Sequence, residues 1–225
     1  MSDLTVWSVC VGEKYHSAYV YALQEAVARN LKIPHRFRCI TTRPLPGIET
    51  VLPPVPYWGW WAKCGLWAPG IATGPSIYFD LDVVITGSLD YLAEFTQYEF
   101  AAPANWAQSG HGGIQSSVMA WRGNWYEPVE YIEPQWPDVT KRLWGDQELL
   151  WELLGDRWVR IPRGIYSFKY HAMDAVPADA SVVVFHGEPK YPAVDTPWIR
   201  AATGGWYLKL TRNGPRDDQK TVRVP

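Results

Sequence analysis

Apolar and β-branched residues dominate residues 4–11, and beyond Gly12 the pattern changes, with Val20, Leu23, Val27 and Leu31 recurring at helical spacing across residues 17–31. That shift predicts a strand, a turn and a helix. Residues 35–41 read as a second strand, so the chain opens with a β-α-β unit. Such a unit implies a parallel, doubly wound α/β sheet that binds ligands at the carboxyl ends of its strands.

Five prolines make residues 42–56 an irregular crossing, and a short helix is expected over residues 58–67. SIYFDLDVVI, residues 76–85, is an apolar run that reads as one continuous strand, the alternative being a strand that ends at Phe79 with both acids in a solvated turn, and Ser88 is placed to cap a helix over residues 89–95. Further strands are predicted near residues 98–102, 113–121, 158–161 and 181–186. Residues 127–141 form a Pro-broken helical stretch and residues 146–154 a helix. Residues 211–225 are polar with two prolines and are expected to be a loose tail, which leaves residues 1–210 as the folded domain.

A length of 225 residues suits one domain with a full core, and 47% hydrophobic against 20% charged residues is the balance of a folded chain. The excess is aromatic, with 14 Trp and 13 Tyr, and core packing explains most of these rings. Trp60 and Trp106 are the two expected near a site. A net charge of -2 provides no general attraction for nucleic acid or anionic lipid. The basic clusters His35, Arg36, Arg38, Arg43 and Arg212, Arg216, Lys220, Arg223 read as solvated surface.

The N-terminus lacks a basic segment followed by an apolar one, and no stretch approaches a membrane span, so a cytoplasmic location is expected. Cys10, Cys39 and Cys64 contain no CxxC pair and lie among apolar neighbours, as reduced buried thiols do.

The chemistry concentrates in the acidic pair. On one extended strand Asp80 and Asp82 would project to the same side, about 7 Å apart. Two carboxylates inside so apolar a run need compensation, and a hard divalent cation, Mg²⁺ or Mn²⁺, provides it. Downstream, VVVFHGEPK ends an apolar strand in His186, a candidate third metal ligand. Gly187 there permits close backbone approach, and Lys190 is suited to a phosphate. Together these elements describe a metal-bound diphosphate closed over by a late cationic loop, as in transfer of a sugar from a nucleotide-sugar.

YFDLDVVITGSLDYL resembles the DxD strand and following helix of metal-dependent glycosyltransferases of the GT-A fold, nearest to family 8, the glycogenin and lipopolysaccharide galactosyltransferase group. FHGEPK is similar to that family's late His-Gly-Lys motif, and GDQELLWELL resembles its Asp-Gln segment opening a helix; the match in order spans most of residues 4–192. The resemblance implies a GT-A, Rossmann-like α/β domain with a mixed, mostly parallel sheet flanked by helices. It implies a nucleotide-sugar donor, UDP-hexose by default, and a divalent metal held by Asp80, Asp82 and His186.

It further implies diphosphate contact by Lys190 beside Gly187, nucleoside contact by Val11, Gly12 and Tyr15, and a donor-sugar contact by Lys63. Asp146 and Gln147 would face the anomeric carbon. Asp146 equally suits a helix cap, and, if the reaction inverts configuration, a general base. Gln115, Ser116 and Ser117 stand where the family has an Asn-containing segment, and KYP replaces the usual KPW. Residues 104–113 could form an acceptor-side loop. The acceptor stays open among a glycan, a lipid-linked sugar, a protein and a modified nucleobase. Two other readings of the acidic pair are a non-catalytic nucleotide-sugar or carbohydrate binder on the same fold and a DxD phosphatase of the haloacid dehalogenase type.

Overall fold

The computed structural model describes residues 4–106 and 112–212. Its strands are β1 (Leu4–Cys10), β2 (His35–Thr41), β3 (Glu49–Val51), β4 (Ser76–Phe79), β5 (Val83–Ile85), β6 (Ala101–Ala102), β7 (Val118–Trp121), β8 (Val159–Arg160), β9 (Ile165–Ser167) and β10 (Val182–Val184). The helices are α1 (Ser17–Asn30), α2 (Glu127–Ile132), α3 (Val139–Arg142), α4 (Asp146–Leu154), α5 (Pro197–Thr203) and α6 (Tyr207–Arg212). Gly59–Trp67 and Asp90–Gln97 are 3₁₀ helices.

A seven-stranded sheet has the order β3-β2-β1-β4-β7-β6-β8. All of its pairings are parallel except the two made by β7, so the expected mixed, mostly parallel sheet is present. A three-stranded sheet, β5-β10-β9, is built on one of its faces. Alternation along β1 divides the core. Val6 enters a cluster with α1, β5 and β10, whereas Trp7 enters one with the 59–67 helix, α2 and α4.

The continuous strand expected over residues 76–85 is interrupted. β4 stops at Phe79, Asp80, Leu81 and Asp82 form a turn, and β5 begins the second sheet. The two aspartates therefore do not share one face of a strand. Asp80 is reached by groups of one layer and Asp82 by groups of the other. Ser88 still serves the following helix, its hydroxyl accepting the Asp90 amide at 3.3 Å, although that helix starts at Asp90. Of the expected tail, 211–212 belong to α6, and 213–225 lie outside the described residues, as do 107–111 of the expected acceptor loop.

Candidate active site at the carboxyl ends of β1 and β4

The central pair β1 and β4 ends at Cys10 and Phe79, with the chain order reversing between them. Polar side chains gather there, at the position where doubly wound sheets bind their ligands. Val11 is half-buried, and Gly12, at φ +76°, makes the turn into α1, which His16 caps by accepting the Ala18 amide at Nδ1.

On the layer of the 59–67 helix, Lys63 is buried with its ammonium 3.2 Å from Asp80 Oδ1 and 2.9 Å from Asp146 Oδ2. The contact to Asp146 is ionic, outside hydrogen-bond geometry. Ser116 accepts from the same ammonium through its hydroxyl and its carbonyl, each at 3.3 Å. Tyr78, two residues before Asp80 and on the same side of β4, donates to Asp80 Oδ1 at 2.6 Å. The Asp80 amide bonds the Ser117 carbonyl at 2.9 Å, and Gln115 Oε1 accepts the Ser117 amide, so the three residues ahead of β7 buttress this half of the site.

Burial alone would raise the Asp80 carboxyl, but the charge of Lys63 and hydrogen bonds from Tyr78 and Ser117 outweigh it and hold the group below its ordinary value. For Lys63, burial works against the charge and Asp146 and Asp80 prevail, so its pKa is raised. Asp146 opens α4, but Gly145 is the cap residue and no side chain caps the helix. The carboxylate of Asp146 is committed to Lys63, and Gln147 follows it, half-buried.

On the other layer, Asp82 is buried and its Oδ2 accepts from the Tyr15 hydroxyl at 2.9 Å and from Lys190 Nζ at 2.5 Å. Lys190 also donates to the Phe185 carbonyl at 3.1 Å. Burial first, then Asp82 and Asp80, push the Tyr15 phenol up, so it stays protonated and donates. Gly187 has φ +66°, in the left-handed region.

Nε2 of His186 is 2.7 Å from the Ser167 hydroxyl, and its ring stacks on Trp106 and Tyr170 at centroid distances of 5.7 and 5.8 Å. Burial, followed by the charge of Lys169, lowers its pKa. Trp60 is 42% exposed and lies against Gly145, and Trp144 is 67% exposed with its ring centroid 6.5 Å away.

Asp80 and Asp82 offer the hard oxygen donors that Mg²⁺ or Mn²⁺ takes from one or two carboxylates together with substrate phosphates, so the pair suits such an ion. Among the described residues no group of three His, Cys, Asp or Glu side chains is assembled to hold a metal, and His186 does not join the two aspartates in such a cluster.

Arg43 corrects an expectation. It is no solvated surface residue, because its guanidinium donates to Cys10 Sγ at 3.0 Å and to the carbonyls of Gly12 and Tyr15 at 3.1 and 2.8 Å, clamping the β1–α1 turn. Arg36 does lie at the surface, paired with Glu49, whereas Arg38, also paired with Glu49, is half-buried with its guanidinium 4.7 Å from the centroid of the Trp7 ring. Tyr78 was also missed, although the alternation that pointed to Asp80 places it two residues earlier on the same face.

No protein-family model and no curated protein matches the sequence. Among solved structures, the galactosyltransferase LgtC, in complex with donor and acceptor sugar analogs, superposes with a TM-score of 0.60 at 15% identity, over 93% of this chain and 94% of its own. The glycosyltransferase GlyE of Streptococcus pneumoniae TIGR4 gives 0.64 at 15% identity, and the bifunctional WbbM 0.67 at 11%. Each match covers 94% of this chain, but only 63% of GlyE and 52% of WbbM. The fold is thus the GT-A fold of these glycosyltransferases.

Proposed function

We propose that this chain is a glycosyltransferase that moves a sugar, a hexose on UDP, from a nucleotide-diphosphate donor to an acceptor hydroxyl. The observation that carries the reading is the convergence of Tyr15, Lys63, Asp80, Asp82, Asp146 and Lys190 at the carboxyl ends of β1 and β4. The GT-A fold supports it, because the solved structures that share this fold at such low identity carry glycosyl transfer.

In this reading Val11, Gly12 and Tyr15 receive the nucleoside, while Gly187 and Lys190 meet the diphosphate. Lys63 reaches the donor sugar, with Asp146 and Gln147 beside its anomeric carbon. The bond from that carbon to the phosphate oxygen breaks with its electron pair onto the diphosphate. The acceptor hydroxyl oxygen bonds to the carbon and gives up its proton to solvent. Asp80 and Asp82 would hold a Mn²⁺ or Mg²⁺ ion, with His186 a third ligand by family resemblance; when bound, the ion supplies positive charge against the leaving diphosphate.

Thermal-shift measurements with UDP and UDP-hexoses, with and without Mn²⁺, on the wild type and Asp82→Asn test this. Stabilisation by several degrees that depends on the metal and is lost in the variant is expected, together with UDP release from one of the sugars. Stabilisation without UDP release or transfer would make the chain a donor-binding protein. No response to any nucleotide or nucleotide-sugar would end the proposal.

A further inference from the structure

Three lysines from separate parts of the chain gather where Asp82 is held. Lys14 comes from the β1–α1 turn, Lys169 from the helical turn after β9, and Lys190 from the segment after β10. Lys14 Nζ lies 5.3 Å from the centroid of the Tyr15 ring and 5.7 Å from that of Trp60, and Lys190 Nζ lies 6.0 Å from the same Tyr15 ring. Lys169 reaches across to Gly187, where a Cβ would come within 2.9 Å of its Nζ.

Of the three, Lys190 is paired, with Asp82. Among the described residues neither Lys14 nor Lys169 makes an ion pair, and both are half-buried. Burial and then the charge of Lys190 lower the Lys14 ammonium from its ordinary value. Asp82, Asp80 and Glu188 act on Lys14 in the opposite sense without overcoming these two effects, so the like charges, held together in partly dehydrated surroundings, favour the entry of a further anion. A lysine with no purpose here would extend into water, where its charge is fully solvated. Lys14 instead rests between two aromatic rings.

We propose that Lys14 and Lys169 act with Lys190 as a three-lysine cradle for a diphosphate group, so that the anion is gripped by the protein's own cations. This rests on the nucleotide-sugar reading for the identity of the ligand and adds two binding residues to it. The positive φ of Gly187 leaves its position without a side chain, which is what lets Lys169 lie against the loop bearing Lys190. A free nucleoside diphosphate carries about one more negative charge than the same diphosphate esterified to a sugar, so the cradle favours the leaving group as the sugar departs.

Calorimetric titration of inorganic pyrophosphate and of UDP into the wild type, Lys14→Gln, Lys169→Gln and the double variant tests the cradle. Circular dichroism and the melting temperature verify the fold, which these half-buried substitutions should leave intact. Each single change should weaken pyrophosphate and UDP by about five- to tenfold, and the double change by more. Affinities within about twofold of wild type in the double variant, with UDP still bound, would overturn the cradle and leave the nucleotide-sugar reading standing. Lysine-dependent pyrophosphate binding without any affinity for nucleotides or their sugars would uphold the cradle and remove that reading. No binding of either anion, with Mn²⁺ or without it, would remove both.

Discussion

Lys63 Nζ lies 2.9 Å from Asp146 Oδ2, joining the 59–67 helix to the first residue of α4, and the same ammonium is 3.2 Å from Asp80. One buried cation thus faces two carboxylates from different elements. Lys63→Met keeps the bulk and leaves two acids uncompensated, a loss of about 3–5 kcal/mol. At about 2–4 °C per kcal/mol for a chain of this size, the melting temperature should fall by about 6–20 °C. The double change Lys63→Met with Asp146→Asn should recover part of that loss. A single variant as stable as the wild type in thermal denaturation would mean the cluster does not hold the 59–67 helix, α4 and the end of β4 together.

Tyr15→Phe separates the ring from the hydroxyl. The phenol donates to a carboxylate at 2.9 Å, a charge-assisted bond whose removal should cost about 1.5–3 kcal/mol, with Lys190 still holding Asp82. If the ring receives the base, as proposed, UDP affinity should drop less than in Tyr15→Ala. Calorimetry on both variants decides, and equal losses would count against stacking.

The opening β-α-β unit was legible because a mostly apolar, β-branched run gives way to apolar residues at helical spacing there. β2 and α4 occupy the expected 35–41 and 146–154. The turn at Asp80 was not legible. β4 and β5 are both apolar and Asp-Leu-Asp contains neither Gly nor Pro, so the two aspartates, which turns favour and strands do not, were the one local sign of a strand end at Phe79, and the apolar run outweighed it. β9, α5 and α6 were also unread, since three to seven residues carry too little periodicity. The acidic pair and Lys190 were found from chemistry, because a buried charge demands a partner wherever the backbone goes. Arg43 was missed because its three acceptors, the Cys10 sulfur and two turn carbonyls, have no signature in side-chain pattern.

Arg43→Ala should loosen the turn that carries Lys14 and Tyr15. Losing its three contacts should cost about 1–3 kcal/mol and accelerate amide exchange across residues 11–16. All three contacts are made by one guanidinium nitrogen, so Arg43→Lys should restore part of them, as far as the shorter ammonium reaches that point. Unchanged exchange in the alanine variant would show that the turn holds itself.

Alkaline pH offers a separate measurement. Burial pushes the Cys39 thiol from 9.0 up to about 12, although the neighbouring Ser8 hydroxyl favours the thiolate. Below pH 9 the proton is bound in both states; between there and about 12 only the unfolded chain releases it. Stability is therefore fully present below pH 9 and falls as pH rises, by up to about 1.4 kcal/mol per pH unit from this group. Urea midpoints at about pH 8 and about pH 11 should differ less in Cys39→Ala than in the wild type. An equal difference would place the alkaline sensitivity elsewhere, in buried phenols such as Tyr78.

Two glycines with positive φ separate backbone strain from collision. At Gly123, φ is +93° and a Cβ would lie 2.5 Å from the Gly74 amide nitrogen and 2.6 Å from its carbonyl oxygen. Backbone cannot move aside as a flexible side chain can, so Gly123→Ala must shift the turn after β7 against the loop before β4. At Gly155, φ is +51° and an added Cβ meets nothing within 4 Å. Gly155→Ala therefore carries only the conformational penalty of holding an alanine at φ +51°, ψ -114°, a sparsely populated region outside the left-handed helical one, about 1–3 kcal/mol. Gly123→Ala should lose clearly more than that in urea denaturation. Equal losses at the two positions would mean that the 72–75 loop yields at little cost, and that the close approach at Gly123 does not help fix the edge of β4.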